Sequence, residues 1–202
     1  MIGDQYSLQE LLDQDYREVD DGTTTPRAAV AAVFRPCDDA VDTELLFIQR
    51  ASKPTDPWSG QMAFPGGRKE AIDPSPQATA ARETLEEVGL PLDPSGSVGS
   101  LTELDGGRAN NRRIIVSAHA FWIEGPRPEL RPNHEVADVV WVPLRDLADP
   151  DRYIDYEYPL TETTFPGIRL DGDGQVIWGL TLRLLSDLFA RLDHPFIIEY
   201  SG

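Results

Sequence analysis

The chain has 202 residues, a length that suits one substantial domain able to bury roughly 70% of its unfolded surface. Its 35 acidic and 18 basic residues give a net charge of −17, which works against binding nucleic-acid backbones. It contains no apolar run of the roughly 18 residues that a membrane-spanning helix needs. The acidic N-terminus lacks a signal-peptide layout, and the single cysteine, Cys37, cannot form an internal disulfide. We therefore expect a cytoplasmic protein without nucleic-acid or membrane partners.

The N-terminal segment reads as a helix followed by a polar linker. Ser7 is a plausible N-cap for a helix over 7–15, because Leu8, Leu11 and Leu12 recur at helical spacing. Polar residues then continue to Pro26. We predict an N-terminal helix and linker over 1–26 and the main domain over 27–202.

Apolar runs and turn residues predict the elements of the main domain. The predicted strands cover 27–35, 44–50, 62–64, 97–104, 112–123, 138–142 and a tail strand at 196–200. A short helix is predicted from Pro143 to about Leu147 and a last helix over about 178–192. We predict irregular structure over 150–175, with a hairpin turn at 171–174, and a loop over 104–111. This pattern by itself distinguishes no further than α+β or α/β.

The segment from Gly66 to Leu90 contains three carboxylates that would share one helix face. Glu83, Glu86 and Glu87 stand at relative positions 0, 3 and 4, so they repel each other unless a cation lies among them. Hard divalent ions such as Mg²⁺ take oxygen ligands of this kind. The opposite face is predicted to be apolar and to consist of Ala78, Ala81, Leu85 and Val88. Glu-rich helix faces are often only solvated, so the surrounding residues must decide.

Those surroundings resemble the Nudix signature, whose pattern is G-x5-E-x7-R-E-U-x-E-E-x-G-U with U a bulky aliphatic residue. The matching residues are Gly67, Arg82-Glu83, Glu86-Glu87 and Gly89-Leu90. Three departures are Asp73 in place of the first Glu, eight residues instead of seven before Arg82, and Thr84 at the first U. The resemblance implies a Nudix hydrolase domain over 27–202 with an α/β/α sandwich and a mixed β-sheet. It also implies a pyrophosphohydrolase that uses Mg²⁺ or Mn²⁺ on a small nucleoside diphosphate substrate; a homodimer stays open.

The resemblance also implies roles for individual residues. Glu83 and Glu87 would bind the metal directly, Glu86 would be shared between ions or bound through water, and the Gly66 carbonyl would complete the site. Arg82 would orient a motif glutamate through an ion pair. Asp73 either repeats the orienting role of the missing glutamate or caps the helix.

The substrate class is suggested upstream of the signature. Leu45–Arg50 and Gly60–Gly67 are similar to the motif LLTxRSx3Rx3GxVxFPGG of coenzyme A pyrophosphatases, with Ala51 and Thr55 replacing its serine and second arginine. Coenzyme A or a thioester is therefore the first candidate substrate. Another nucleoside diphosphate derivative (a nucleotide sugar, ADP-ribose or a dinucleotide) is the alternative, and a non-catalytic nucleotide-sensing domain is a third hypothesis.

Substrate-binding side chains must come from segments around the helix. Arg50 and Arg68 are the best-placed phosphate ligands, and Trp58 would stack on a base or anchor its loop. The weaker phosphate candidates are Arg108, Arg112 and Arg113. His119, within an apolar strand, is predicted to be packed.

The general base is expected just before the strand at 138–142. Glu135 is our candidate, since a glutamate entering a sheet strand can reach over the helix, and similar enzymes carry an acidic residue at this place. His134 is the rival because imidazole titrates near neutrality. A third reading is that Glu135 only caps a turn. The candidate catalytic residues are thus Glu135, Glu86 and Arg82.

Overall fold

The computed structural model describes residues 5–12, 25–38, 42–53, 58–109, 112–158, 163–172 and 174–193. Within these ranges the helices are α1 (Gln5–Leu12), α2 (Pro76–Val88), α3 (Leu144–Leu147) and α4 (Gly179–Arg191). The strands are β1 (Arg27–Pro36), β2 (Thr43–Arg50), β3 (Met62–Ala63), β4 (Gly66–Arg68), β5 (Ser97–Ser100), β6 (Leu104–Ala109), β7 (Arg112–Trp122), β8 (Val136–Pro143), β9 (Tyr153–Tyr158), β10 (Thr163–Arg169) and β11 (Val176–Trp178).

Eight of these strands form one mixed sheet, and five of them follow the order β3-β2-β1-β7-β5. The other three strands each pair with one of these five: β4 with β1, β6 with β7, and β8 with β2. Strand β8 pairs along the edge of β2 opposite β1 and β3. β1 and β7 run parallel, whereas the other pairs are antiparallel. Strands β9, β10 and β11 form a separate antiparallel sheet.

The two faces of the large sheet are covered by different helices. One face packs alternate apolar residues of β1, β2 and β7 against α2. The other face carries the larger core, to which α1, α3, α4 and the small sheet contribute. This layering confirms the predicted α/β/α sandwich with a mixed sheet. No helix of the described ranges is long and apolar enough to cross a membrane.

Helix α1 belongs to this core, and its first residue corrects our prediction. It spans Gln5–Leu12, so Ser7 lies inside the helix and is not its cap. Leu8 and Leu12 are buried in the larger core. Gly99 of β5 lies directly beneath Leu12, because a Cβ on that glycine would overlap the leucine. The predicted linker lies mostly outside the described residues.

Two predicted irregular segments are strands, so those predictions are wrong. The region 150–175 contains β9 and β10, and the predicted loop at 104–111 contains β6. In β9 the half-buried rings alternate with exposed acidic residues, a period-two signal that the sequence already carried. The strand signal of β6 is weakened by its glycines and that of β10 by Pro166, because both residue types have low β-propensity. Strands β10 and β11 pair as a hairpin, as predicted, and the Leu170 N–H bonds the Gln175 carbonyl at 2.9 Å; residue 173 and the predicted tail strand lie outside the described residues.

Candidate active site

Helix α2 begins and ends at well-defined caps. Ser75 has extended dihedrals, and its Oγ accepts a 3.1 Å hydrogen bond from the Ala78 N–H. Pro76 occupies the first helical turn, where a missing N–H costs nothing. Gly89 then adopts a left-handed φ of 71°, and its N–H bonds the Leu85 carbonyl at 3.0 Å. The caps fix the length and direction of the helix that carries the acidic cluster.

The buried face of α2 differs from the predicted apolar face. The side chains it buries are small or polar: Thr79, Ala80, Ala81, Thr84, Glu87 and Val88. Leu85, predicted to be in the core, is 51% exposed. Thr84, a departure from the signature pattern, is fully buried, and its hydroxyl donates to the Ala80 carbonyl at 2.7 Å. The helix therefore packs through small side chains, which allow it to lie close to β1 and β4.

Glu87 is the most deeply buried carboxylate of the cluster. Its side chain is 3% exposed, and Oε2 accepts a 2.8 Å hydrogen bond from the Gly66 backbone N–H. Burial raises the pKa of Glu87 to about 7, although this hydrogen bond and the charge of Arg50 favour the ionised form. A cation bound beside it would stabilise the carboxylate further.

Glu83 and Glu86 have different surroundings. Burial raises the pKa of Glu83, while Arg82 Nη2 pairs with its Oε1 at 3.0 Å. A Cβ on Gly67 would lie 2.6 Å from the Glu83 carboxyl carbon, so glycine at this position lets the Glu83 carboxylate occupy its observed place. Glu86 is largely exposed and contacts Arg82 Nη1 at 3.2 Å. The three carboxylates are therefore not equivalent.

Arg82 is held by Asp73 in a two-point ion pair. Its Nε donates to Oδ1 at 2.9 Å and its Nη2 donates to Oδ2 at 3.0 Å. Asp73 also accepts from the Glu70 N–H and the Thr79 hydroxyl, and the Arg82 guanidinium holds its pKa well below the usual range. Asp73 therefore orients Arg82. The capping alternative is wrong, because Ser75 caps the helix.

The carboxylates of α2 are of the chemical type that binds a hard divalent cation, although their side chains do not converge on one point as metal ligands would. Among the described residues, no three His, Cys, Asp or Glu side chains form a group that could hold a metal ion as they stand. Glu83 and Glu87 nevertheless lie one turn apart, and burial disfavours the charge of both. A divalent cation would offset that burial, and Mg²⁺ prefers such oxygen ligands. Gly66 meets Glu87 through its N–H; the metal role of its carbonyl remains a prediction.

Residues 131–135 close over the C-terminal end of α2. The Arg131 N–H bonds the Val88 carbonyl, and the Asn133 N–H bonds the Glu87 carbonyl, both at 2.8 Å. The Asn133 side chain donates to the Glu86 carbonyl at 2.9 Å and accepts from the Glu135 N–H at 2.7 Å. Asn133 thus joins Glu135 to the helix, a link that the sequence interpretation missed.

Glu135 is tied to the segment that follows β2. Its carbonyl accepts the Ala51 N–H at 2.8 Å, and its carboxylate pairs with Lys53 Nζ at 2.6 Å. Lys53 lowers the pKa of Glu135. His134 is 83% exposed, and its Nε2 lies 4.0 Å from Glu135. The turn-capping reading is wrong, because the side chain that bonds the turn is Asn133.

A cavity of about 220 Å³ brings the three predicted substrate ligands together. Arg50, Arg68 and Trp58 line it beside Gly66 and Gly67. Its apolar wall consists of Ala28, Val30, Ala63, Phe64, Ile114, Val116 and Leu180. The weaker candidate Arg113 pairs with Asp105 at 2.7 Å, and the side chains of Arg108 and Arg112 lie outside what the structure describes.

The start of α4 forms one end of this cavity. Leu180 and Thr181 line it, and the Thr181 hydroxyl donates to the Met62 carbonyl at 3.0 Å. This bond ties α4 to the strand that leads into the glycine turn. The cavity and the carboxylates of α2 therefore meet at Gly66 and Gly67.

Comparison with known proteins identifies the kind of domain. The NUDIX domain model matches residues 25–162, more than half of the chain. The chain is 40% identical over 112 residues to "Uncharacterized protein C14C4.10c" of Schizosaccharomyces pombe, covering 53% of this chain and 34% of that protein. It is 28% identical over 158 residues to "Uncharacterized Nudix hydrolase NudL" of Yersinia pestis, covering 78% and 77%.

A solved structure shares the fold. The crystal structure of a MutT/nudix family protein from Enterococcus faecalis superposes with a TM-score of 0.60 at 17% identity, covering 88% of this chain and 65% of that one. At this identity the likeness concerns the fold alone. The chain therefore spans about a third of its S. pombe relative and about two thirds of the solved structure.

Proposed function

The chain belongs to the Nudix family, and we propose that it hydrolyses the diphosphate bond of coenzyme A or its thioesters with Mg²⁺ or Mn²⁺. The match to the family and the Nudix hydrolase relatives support a pyrophosphohydrolase. The observation that carries the proposal is the position of Glu87, a buried carboxylate that meets the glycine turn at the edge of a cavity lined by two arginines.

The metal would be held by Glu83 and Glu87, with Glu86 and the Gly66 carbonyl as further ligands. When bound, it supplies charge neutralisation on the diphosphate oxygens and lowers the pKa of a bound water. Arg82 keeps Glu83 and Glu86 in place, because its guanidinium contacts both and is itself fixed by Asp73.

The remaining steps belong to residues around the helix. Arg50 and Arg68 would bind the phosphates, since both line the cavity that shares Gly66 and Gly67 with the carboxylates of α2. Glu135 would accept the proton of the attacking water; its low pKa keeps it ionised near neutral pH. Trp58 and the apolar wall would contact the rest of the substrate and keep bulk water away.

Coenzyme A is the first candidate because of the upstream motif that ends at the glycine turn. Hydrolysis would add one water across the diphosphate and release phosphopantetheine and adenosine bisphosphate. Ala51 and Thr55 depart from that motif and favour the alternative, another nucleoside diphosphate derivative such as a nucleotide sugar, ADP-ribose or a dinucleotide. Both candidates are small molecules. We also propose a cytoplasmic location, with Cys37 as a buried thiol.

A substrate panel distinguishes these candidates. Coenzyme A, acetyl-coenzyme A, dephospho-coenzyme A, ADP-ribose, UDP-glucose and diadenosine compounds would be incubated with Mg²⁺ or Mn²⁺, and the products separated. We expect coenzyme A to be cleaved fastest, and faster than dephospho-coenzyme A if Arg50 or Arg68 binds the 3′-phosphate. Turnover of a nucleotide sugar without cleavage of either coenzyme would support the alternative.

A further inference from the structure

Lys53 lies outside the signature, yet it makes a side-chain contact to the candidate base. We propose that Lys53 is a positioning residue for hydrolysis, which holds the Glu135 carboxylate in place beside the carboxylates of α2. The inference rests on the proposed function, in which Glu135 accepts a proton from water. It adds a residue that neither the signature nor the upstream motif singles out.

The geometry leaves the Glu135 carboxylate dependent on Lys53. The backbone of Glu135 is fixed at both its polar groups, by the Asn133 side chain and by the Ala51 N–H. Its carboxylate, in contrast, has one hydrogen bond among those the structure describes, the 2.6 Å contact to Lys53 Nζ. The backbone is therefore anchored at two points, while the described residues orient the carboxylate through one hydrogen bond, from Lys53.

Lys53 is itself held in position. Its backbone N–H donates to the Ser59 Oγ at 2.6 Å, which anchors Lys53 to the turn that contains Trp58. Two residues earlier, Ala51 is bonded to Glu135. The lysine and the glutamate thus approach each other from segments that are already joined.

The other charged groups around Glu135 act at longer range. Arg50 and His134 attract its negative charge, and Glu87 of α2 shares a repulsion with it. Among these neighbours Lys53 makes the hydrogen bond and has the largest effect. Removing Lys53 would therefore leave a carboxylate repelled by Glu87 and attracted only by more distant cations.

The ion pair between Lys53 and Glu135 should contribute little to the stability of the fold. The Lys53 and Glu135 side chains are 40% and 45% exposed, and ion pairs this exposed stabilise a fold only slightly. A misplaced catalytic group, however, lowers a rate strongly even when the fold is intact. This difference makes the role of Lys53 measurable.

The test combines Lys53→Met, Lys53→Arg and Glu135→Gln in one kinetic study with the substrate that is turned over best. We expect Lys53→Met to lower kcat roughly tenfold, part of the about 10²-fold that a general base contributes, with KM nearly unchanged. Lys53→Arg should restore most of kcat, because the cation is kept. The double variant Lys53→Met/Glu135→Gln should be no slower than Glu135→Gln alone, as expected when one residue acts through the other.

The pH profile gives a second readout that a purely structural role would not move. Without the cation the pKa of Glu135 rises, so the acid limb of kcat should move to higher pH in Lys53→Met and stay in place in Lys53→Arg. Arg145→Met, which removes the same charge from an exposed site on α3 outside the cavity, should leave both kcat and the acid limb unchanged.

The outcomes separate this inference from the proposed function. Multiplicative losses in the double variant, or a raised KM with normal kcat, would show that Lys53 acts independently of Glu135 and would overturn the inference. A fully active Glu135→Gln would overturn it together with the assignment of the base, while hydrolysis itself would stand. Failure of the wild-type protein to cleave any diphosphate would instead refute the proposed function.

Discussion

The carboxylate of Glu87 accepts its hydrogen bond from the backbone N–H of Gly66, and this contact joins helix α2 to strand β4 at a buried point. Strand β4 is paired to β1 in the middle of the large sheet. The position of the carboxylate is therefore set by the sheet as well as by the helix. A Cβ at Gly66 would overlap the backbone of β1, whereas a Cβ at Gly67 would meet the Glu83 carboxylate, so a change at Gly67 should affect the acidic cluster without disturbing the rest of the fold.

Gly67→Ala tests this coupling. The new Cβ would lie 2.6 Å from the Glu83 carboxyl carbon, so Glu83 must move. We expect kcat to fall about tenfold or more, because small displacements of reacting groups are costly, while far-UV circular dichroism stays native. Gly96→Ala is the matched control, since its Cβ would meet nothing closer than 3.7 Å. Wild-type kcat in Gly67→Ala would contradict the proposed role of Glu83.

Asp73→Ala should lower both stability and activity. The change leaves Arg82, which is 22% exposed, with Glu83 and Glu86 as its remaining carboxylate partners, and the loss of the charged hydrogen bonds to Asp73 should cost about 2 kcal/mol. Arg82 would then be free to shift away from Glu83 and Glu86, which should also lower kcat. Urea unfolding and steady-state kinetics measure the two effects. Glu129→Ala, which breaks an exposed pair with Arg131, should change neither; a loss as large as that of Asp73→Ala would refute this account.

The assignment of the base predicts an order of effects. Glu135→Gln should lower kcat by about 10²-fold or more with substrate binding largely unchanged, as expected for a general base. His134→Ala should matter less, because the imidazole is mostly exposed and 4.0 Å from the glutamate. Initial rates for the two variants, measured side by side, decide the question. If the histidine variant is the slower one, the base is His134.

His119 predicts a pH dependence of folding that is separate from catalysis. It is 2% exposed between Ser100 and Ser117, as predicted for a packed residue, and burial lowers its pKa to about 4. Since the unfolded value is higher, the unfolded state binds more protons, and stability is lost as the pH falls below about 6.5. From pH 7.5 to pH 5 this loss is about 2 kcal/mol.

Denaturant unfolding of the wild type and of His119→Gln at both pH values isolates this contribution. The wild type should lose more stability than the variant on acidification, because glutamine does not titrate. Asp73 does not interfere, since its lowered pKa changes stability only from the ordinary range of a carboxyl group downwards, and Glu87, whose raised pKa acts in the opposite direction between pH 7.5 and 5, is present in both proteins and cancels in their difference. If the free energy of unfolding depends on pH equally in the two proteins, His119 is not held neutral in the folded state.

The segment that carries the acidic cluster was predictable from the sequence because it combines local signals. Pro76 and Gly89 mark the ends of α2, and the spacing of Glu83 and Glu87 places both on one face. The pairing of Asp73 with Arg82 was one of two alternatives that the sequence left open. The structure decides between them, because both carboxylate oxygens of Asp73 bond the guanidinium and Ser75 caps the helix.

Other features depend on contacts between distant segments and could not be predicted. The partner of Glu135 is Lys53, which is 82 positions earlier in the chain. Leu85 is exposed because the face of α2 that is buried includes polar residues such as Thr84 and Glu87, which the spacing of apolar residues does not identify. The strands β6 and β10 contain glycine or proline, so their local propensity opposed the pairing that the tertiary structure enforces.

The most direct test of the central claim is the rate of diphosphate hydrolysis by the wild type and by Glu87→Gln, with excess chelator and after Mg²⁺ or Mn²⁺ is restored. Glutamine keeps the shape of the side chain and an oxygen that can accept the Gly66 N–H, so the fold should be retained. We expect no wild-type turnover in chelator, full recovery with metal, and a loss of at least about 10²-fold in Glu87→Gln. Full wild-type activity in chelator, or a Glu87→Gln variant as active as the wild type, would contradict a metal-dependent site on α2.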